Sequence, residues 1–164
     1  MEKLLKFKSG HFFLGLFIPW AISAFISDTL TNDIMSLIGY VFYFGFFMLS
    51  YDYMDAFTKA DNLEKVVFFL INIILILLYG GIVIFFEEGS GLEIDGVWGL
   101  LSATTYFVFF AFIFVTLAKM LLLCEHKKVN FENLFQYIIL FLILPVGIWI
   151  LIPKFKKLHI STQY

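Results

Sequence analysis

The sequence predicts an all-α fold, a polytopic bundle of transmembrane helices, and three observations carry that reading. The 164-residue chain is 62% hydrophobic and 15% charged, a balance that belongs to chains embedded in lipid. Its apolar residues arrive in five long blocks, residues 11–27, 34–51, 66–86, 97–124 and 134–152, instead of the short periodic runs of a soluble core. The lysines fall between alternate blocks, as the positive-inside bias of membrane proteins requires. The connections leave no room for a soluble domain of ordinary size, so residues 1–164 read as one integral membrane domain.

The first block follows Lys3, Lys6 and Lys8, the layout of a signal peptide or a first span, and Ala21-Ile22-Ser23 resembles a small-residue cleavage site. We read it as a span, bent at Pro19, which lacks a backbone donor. In the second block Asp33, Ser36, Tyr40, Tyr43, Phe47, Ser50 and Met54 recur at helical intervals and give one face a run of hydroxyls. Asp52 to Lys65 is the most hydrophilic connection, and Asp61-Asn62-Leu63-Glu64 within it has the spacing of a capping box that opens the third span.

The fourth block is the longest. Val97 to Ala118 alone reaches roughly 33 Å as a helix, enough to cross a hydrocarbon layer of about 30 Å. Ser102, Thr105, Thr116 and Lys119 lie along one stripe, and the small residues Gly99, Ala103, Ala111 and Ala118 along a neighbouring one. Both features favour contact with other helices over contact with lipid. The fifth block contains Pro145-Val146-Gly147, which predicts either a kinked crossing or a re-entrant hairpin.

Counting lysines sets the orientation. With the amino terminus inside, Lys3, Lys6, Lys8, Lys59, Lys65, Lys119, Lys127 and Lys128 are all cytoplasmic and both outer connections have none. Lys154, Lys156 and Lys157 dissent if the fifth block crosses fully. Five crossings are the expectation from apolar length, and four crossings with a re-entrant carboxy-terminal segment the alternative.

The pattern Pro145-Val146-Gly147-Ile148-Trp149 followed by Pro153-Lys154 resembles the closing segment of small uncharacterised bacterial multi-spanning membrane proteins. The resemblance implies a multi-pass protein of the bacterial inner (plasma) membrane and assigns no site.

Several chemistries lack their residues. All eleven basic residues are lysine, so no guanidinium fork is available for phosphate or carboxylate. A net charge of −2 without a dense basic run argues against nucleic acid as a partner. One cysteine, Cys124, excludes an intramolecular disulfide and a CxxC site, and His11, His126 and His159 have no zinc-binding spacing. Asp52 and Asp55, three residues apart, are the one carboxylate pair that can share a helical face and hold a metal with a phosphate substrate. They distantly resemble the acidic motifs of membrane prenyl- and phospho-alcohol transferases, which repeat or extend those acids where this chain does not.

Three functional readings follow. The first is a non-enzymatic subunit, accessory or oligomeric, that acts through helix contacts with itself or another membrane protein and carries no cofactor. The second is a pore or membrane-depolarising effector, of toxin or defence type. Its polar seam is Ser36, Tyr40, Tyr43, Ser50, Ser102, Thr105, Thr116 and Lys119, and its outer acidic mouth is Glu87, Glu88, Glu93 and Asp95. The third is a metal-dependent lipid-modifying enzyme using Asp52 and Asp55. The seam reading expects Tyr40 or Tyr43 within hydrogen-bond reach of Thr105 or Thr116, and Lys119 close to the cytoplasmic acids.

Overall fold

The computed structural model describes residues 9–58, 61–85 and 97–161, and among them every regular element is a helix. These are α1 (Ser9–Ser23), α2 (Thr29–Thr58), α3 (Asn62–Phe85), α4 (Val97–Cys124), α5 (Phe131–Leu142) and α6 (Leu144–Ser161). Glu87, Glu88, Glu93 and Asp95 lie outside the described residues. Three helices are long and apolar enough to cross a membrane, or four when α5 and α6 count as one bent span.

Capping chemistry sets the boundaries. Asp28 opens α2: its carboxylate accepts from the backbone N–H of Thr31 at 3.0 Å and from the Thr31 hydroxyl. The helix therefore starts five residues before the second apolar block. It also runs on to Thr58, so Asp52 and Asp55 lie on helix, not loop. Asp61 caps α3, its side chain accepting from Leu63 N–H at 3.3 Å, where the Asp61 to Glu64 spacing places a helix start.

α4 closes in a Schellman arrangement. Lys127 N–H donates to Leu122 C=O and His126 N–H to Leu123 C=O, each at 3.0 Å. The residue in the left-handed position is His126, φ 54°, where glycine would be free of strain. Asn130 then caps α5, accepting from Asn133 N–H at 2.9 Å.

α5 ends because Pro145 has no N–H to continue the ladder. The chain bends by 116° between α5 and α6. Gly147 fits the bend because its backbone lies against the Leu140 carbonyl, where a Cβ would collide. Consequently α6 comes back to the end of the bundle that α5 left. Tyr53 OH, near the end of α2, donates to Phe155 C=O at 2.7 Å, and Lys154 reaches Glu125 just past the end of α4.

α2 and α4 form the centre, with α3 on one side and α5 and α6 on the other; α1 leans on α2 and α6. Phe47 of α2 is the hub, its fully buried ring within 5.5 Å of Phe114 (α4) and 6.5 Å of Phe141 (α5), centroid to centroid. Because α5 is only about 18 Å long at 1.5 Å per residue, the hairpin covers only part of α4. Nine of the twelve residues from Ile113 to Cys124 are buried, whereas every residue from Leu100 to Val108 is exposed.

Candidate functional site

The charged end of the bundle holds two ionic clusters on opposite sides of α4. In the first, Lys65 Nζ lies 3.1 Å from Asp52 and 2.8 Å from Asp55, so the carboxylate pair is bridged by an ammonium. Glu64 is this lysine's neighbour in the chain, and it receives Lys119 of α4 at 3.4 Å. Lys119 thus approaches the acids of this end. Among the described residues no group of three or more metal-ligating side chains is assembled.

The second cluster has Glu125 at its centre. Lys127 Nζ lies 2.8 Å from one carboxylate oxygen and Lys154 Nζ contacts the other. The Tyr137 hydroxyl donates to Glu125 and accepts from Lys127 at 2.9 Å and from Lys154 at 2.8 Å. Both ammoniums also sit over the Tyr137 ring, 5.4 Å and 4.6 Å from its centroid. Burial pushes the Glu125 carboxyl up, but the hydrogen bonds from Lys127, Lys154 and Tyr137 outweigh it and hold the group at about 2. The same contacts, Glu125 first and then Tyr137, push the Lys127 ammonium up.

This cluster is absent from any single stretch of sequence. Glu125 and Lys127 come from the α4 turn, Tyr137 from α5 and Lys154 from α6, and only the reversal at Pro145 to Gly147 brings the last to the first. The available signal was the dissent of Lys154, Lys156 and Lys157 in the lysine count together with the Pro-Val-Gly break.

The hydroxyl stripes do not form one seam. Ser36 hydrogen-bonds Tyr79 of α3, and Tyr40 stacks on the Tyr79 ring at 3.7 Å and meets the Trp20 ring at a tilt, 5.6 Å away. Tyr43 packs edge-on against Phe47 at 4.6 Å. Thr105 is exposed and donates to its own helix, to Leu101 C=O at 2.8 Å; Ser102 is exposed as well. Thr116 and Ser50 are buried. The reason is the reach of the cover: Thr116 lies in the stretch of α4 that its neighbours pack against, whereas every residue from Leu100 to Val108 is exposed whichever way it points. Ser50 Oγ, Tyr51 OH and Asn72 Oδ1 are buried without a hydrogen-bond partner, although Asn72 Nδ2 donates to Phe68 C=O at 2.8 Å.

Three apolar crevices open on the flanks. One of about 440 Å³ lies between α1, α2 and α4 with Pro145 at its edge, lined by Leu16, Trp20, Tyr40, Tyr43 and Phe110. A second, about 570 Å³, runs along α4 beside Ala103, Phe107 and Ala111 to Ile138 and Leu142 of α5. A third, about 270 Å³, separates α1 from α2 around Gly15 and Gly45.

Comparison of the chain with protein-family models, with curated proteins and with solved structures finds no match.

Proposed function

We propose that the chain is a non-enzymatic integral membrane protein that works through helix contacts, as an accessory or oligomeric subunit in the bacterial inner membrane. One observation carries this reading: the half of α4 from Leu100 to Val108 is exposed, next to a crevice of about 570 Å³ floored by Ala103 and Ala111. Small residues on an uncovered helix face let a second backbone come close, the main source of helix association where lipid removes the hydrophobic drive. Partner and lipid both meet this face.

In this reading α1, which at 15 residues is shorter than the three long apolar helices, crosses the bilayer with α2, α3 and α4, the α5–α6 pair is re-entrant, and the charged end is cytoplasmic with the amino terminus. The contact between Lys154 and Glu125 supports that topology, since all three dissenting lysines then join the inside set. A cysteine placed at Ser161 in a Cys124→Ser background should be shielded from an impermeant reagent in intact cells.

The decisive experiment is assembly in lipid nanodiscs, alone and after co-purification from native membranes. A defined oligomer or a stoichiometric partner that Ala111→Leu displaces is the expected result. A monomer with no partner would remove the reading. Cation flux in liposomes lowered by Thr105→Val would favour the depolarising alternative, and metal-dependent turnover lost in Asp52→Asn the lipid-modifying one.

A further inference from the structure

The Glu125 cluster is charged beyond what its own geometry needs. Lys127, Lys128, Lys154, Lys156 and Lys157 lie on the α4–α5 turn and α6, and from that turn to the end of α6 the acids are Glu125 and, on α5, Glu132. One carboxylate, Glu125, serves two ammoniums at once. Each ammonium has three N–H donors, and Lys127 and Lys154 each direct one to Glu125 and one to the Tyr137 hydroxyl. One donor per lysine therefore remains, and the two lysines converge on a single hydroxyl. Their side chains keep 49% and 27% of their surface accessible, so an outside anion can reach both. A general cytoplasmic lysine bias needs only the number of lysines on a side; it does not need two of them brought together from segments 27 residues apart.

We propose that this corner binds the phosphate of an acidic phospholipid headgroup, held between Lys127 and Lys154, with Lys128, Lys156 and Lys157 supplying the surrounding positive field. The proposal rests on the membrane reading above, and a membrane is what favours a lipid over a free anion. Phosphate here is attached to a molecule already confined to the plane where α6 emerges. Lipid-facing Trp149 and Ile150, both exposed on α6 just before the lysines, give its acyl chains an apolar wall beside that plane. Glu125 has a double part. It gathers the two lysines, yet its own charge opposes the phosphate.

That double part gives the test an unusual sign. The full chain, purified in phosphatidylcholine nanodiscs, is titrated with phosphatidylglycerol, and bound lipid is read by native mass spectrometry beside the unfolding midpoint. Lys127→Gln/Lys154→Gln should weaken phosphatidylglycerol binding about thirtyfold, at roughly fivefold per lysine near a membrane surface. Because that variant leaves Glu125 unpaired and can misfold, Glu125→Gln/Lys127→Gln/Lys154→Gln is measured with it and should still bind about fivefold more weakly than the wild type, the lost carboxylate offsetting part of the loss of the two lysines. Glu125→Gln alone should lower the unfolding midpoint while raising phosphatidylglycerol affinity about fivefold. A purely structural cluster would lose both together.

Equal binding of phosphatidylcholine and phosphatidylglycerol by the wild type would overturn the proposal, as would unchanged binding in the triple variant. Stabilisation by inorganic phosphate that matches phosphatidylglycerol would overturn the lipid source. Failure of the oligomer experiment with this selectivity intact removes the subunit reading and leaves the site; an assembled oligomer without the selectivity does the reverse.

Discussion

The two halves of α4 both belong to one apolar block and are opposite in circumstance. Leu100 to Val108 is exposed throughout, while Ile113 to Cys124 is mostly buried against α2, α3 and α5. Hydrophobicity does not separate them, since both halves read as membrane helix. What separates them is the point, 21 residues past the end of α4, where Pro145 and Gly147 turn the chain back. A hairpin that reverses at mid-depth covers only the half of its neighbour that lies below the turn. Burial in a membrane bundle is therefore a property of where the surrounding chain reverses, because lipid is as apolar as the core and imposes no preference of its own.

The largest effect should come from removing the reversal. In Gly147→Ala the new methyl meets the Leu140 carbonyl, a backbone atom that cannot swing aside as a side chain does. A loss of about 3 kcal/mol is expected, at the upper end of overpacking, measured by an unfolding titration in detergent micelles. Cys124, buried and 3.7 Å from the Met54 carbonyl, offers a second readout. Its thiol should label slowly in the wild type and quickly in the variant. If Gly147→Ala labels as slowly as the wild type, the hairpin is not what covers the lower half of α4.

Next in size is the pH response of the covered half. The Glu125 carboxyl sits at about 2 in the folded protein, below the ordinary glutamate value of about 4.3, so the folded state binds the proton less readily than the unfolded one. Its contribution is thus fully present above the unfolded value and is lost as pH falls through that value toward 2. Discounted for the screening of a partly exposed group, the loss is about 2 kcal/mol. Other carboxylates titrate nearby, so the test is the difference between wild type and Glu125→Gln. The two curves should converge on going from pH 6 to pH 3, and parallel curves would remove Glu125 from the account.

A smaller effect of opposite sign belongs at the same end. His126 occupies a left-handed conformation at φ 54° that glycine adopts without strain. His126→Gly should stabilise the protein by up to about 1 kcal/mol, set against the greater freedom glycine has when unfolded. A destabilised variant would mean that the imidazole makes contacts worth more than the backbone strain.

Much of this contrast could be read from residues, and some could not. The apolar blocks, the Asp61 cap and the break at Pro145 to Gly147 were legible because each depends on neighbours in sequence. The extension of α2 through Asp52 to Thr58 was hidden, since the four acids and two lysines from Asp52 to Lys65 read as a connection until Lys65 is seen to bridge Asp52 and Asp55. Tyr137 was invisible for a similar reason: its importance comes from two lysines 10 and 17 residues away in opposite directions. The hydroxyl stripes were legible as stripes only. Which of their members is covered depends on how far the α5–α6 hairpin reaches along α4, which the reversal at Pro145 to Gly147 decides. The outcome splits them, with Thr116 buried and Ser102 and Thr105 exposed.

That split gives the smallest expected effect and the finest probe of the exposed half. The Thr105 hydroxyl already has an acceptor one turn back, the Leu101 carbonyl at 2.8 Å, so it needs nothing from another helix. Valine keeps the shape and removes only that bond, whose like in membrane helices averages about 0.6 kcal/mol. In a monomer the acceptor carbonyl stays bonded within the helix, so Thr105→Val should change the unfolding midpoint by less than this. In an assembled oligomer the outcome differs, because a hydroxyl pressed against a neighbouring helix is exchanged for a methyl at a packed contact. A midpoint that is insensitive to Thr105→Val at low protein-to-lipid ratio and sensitive at high ratio would place the exposed half of α4 in a subunit contact. Insensitivity at both ratios would leave that half facing lipid and move the search for a contact to α3.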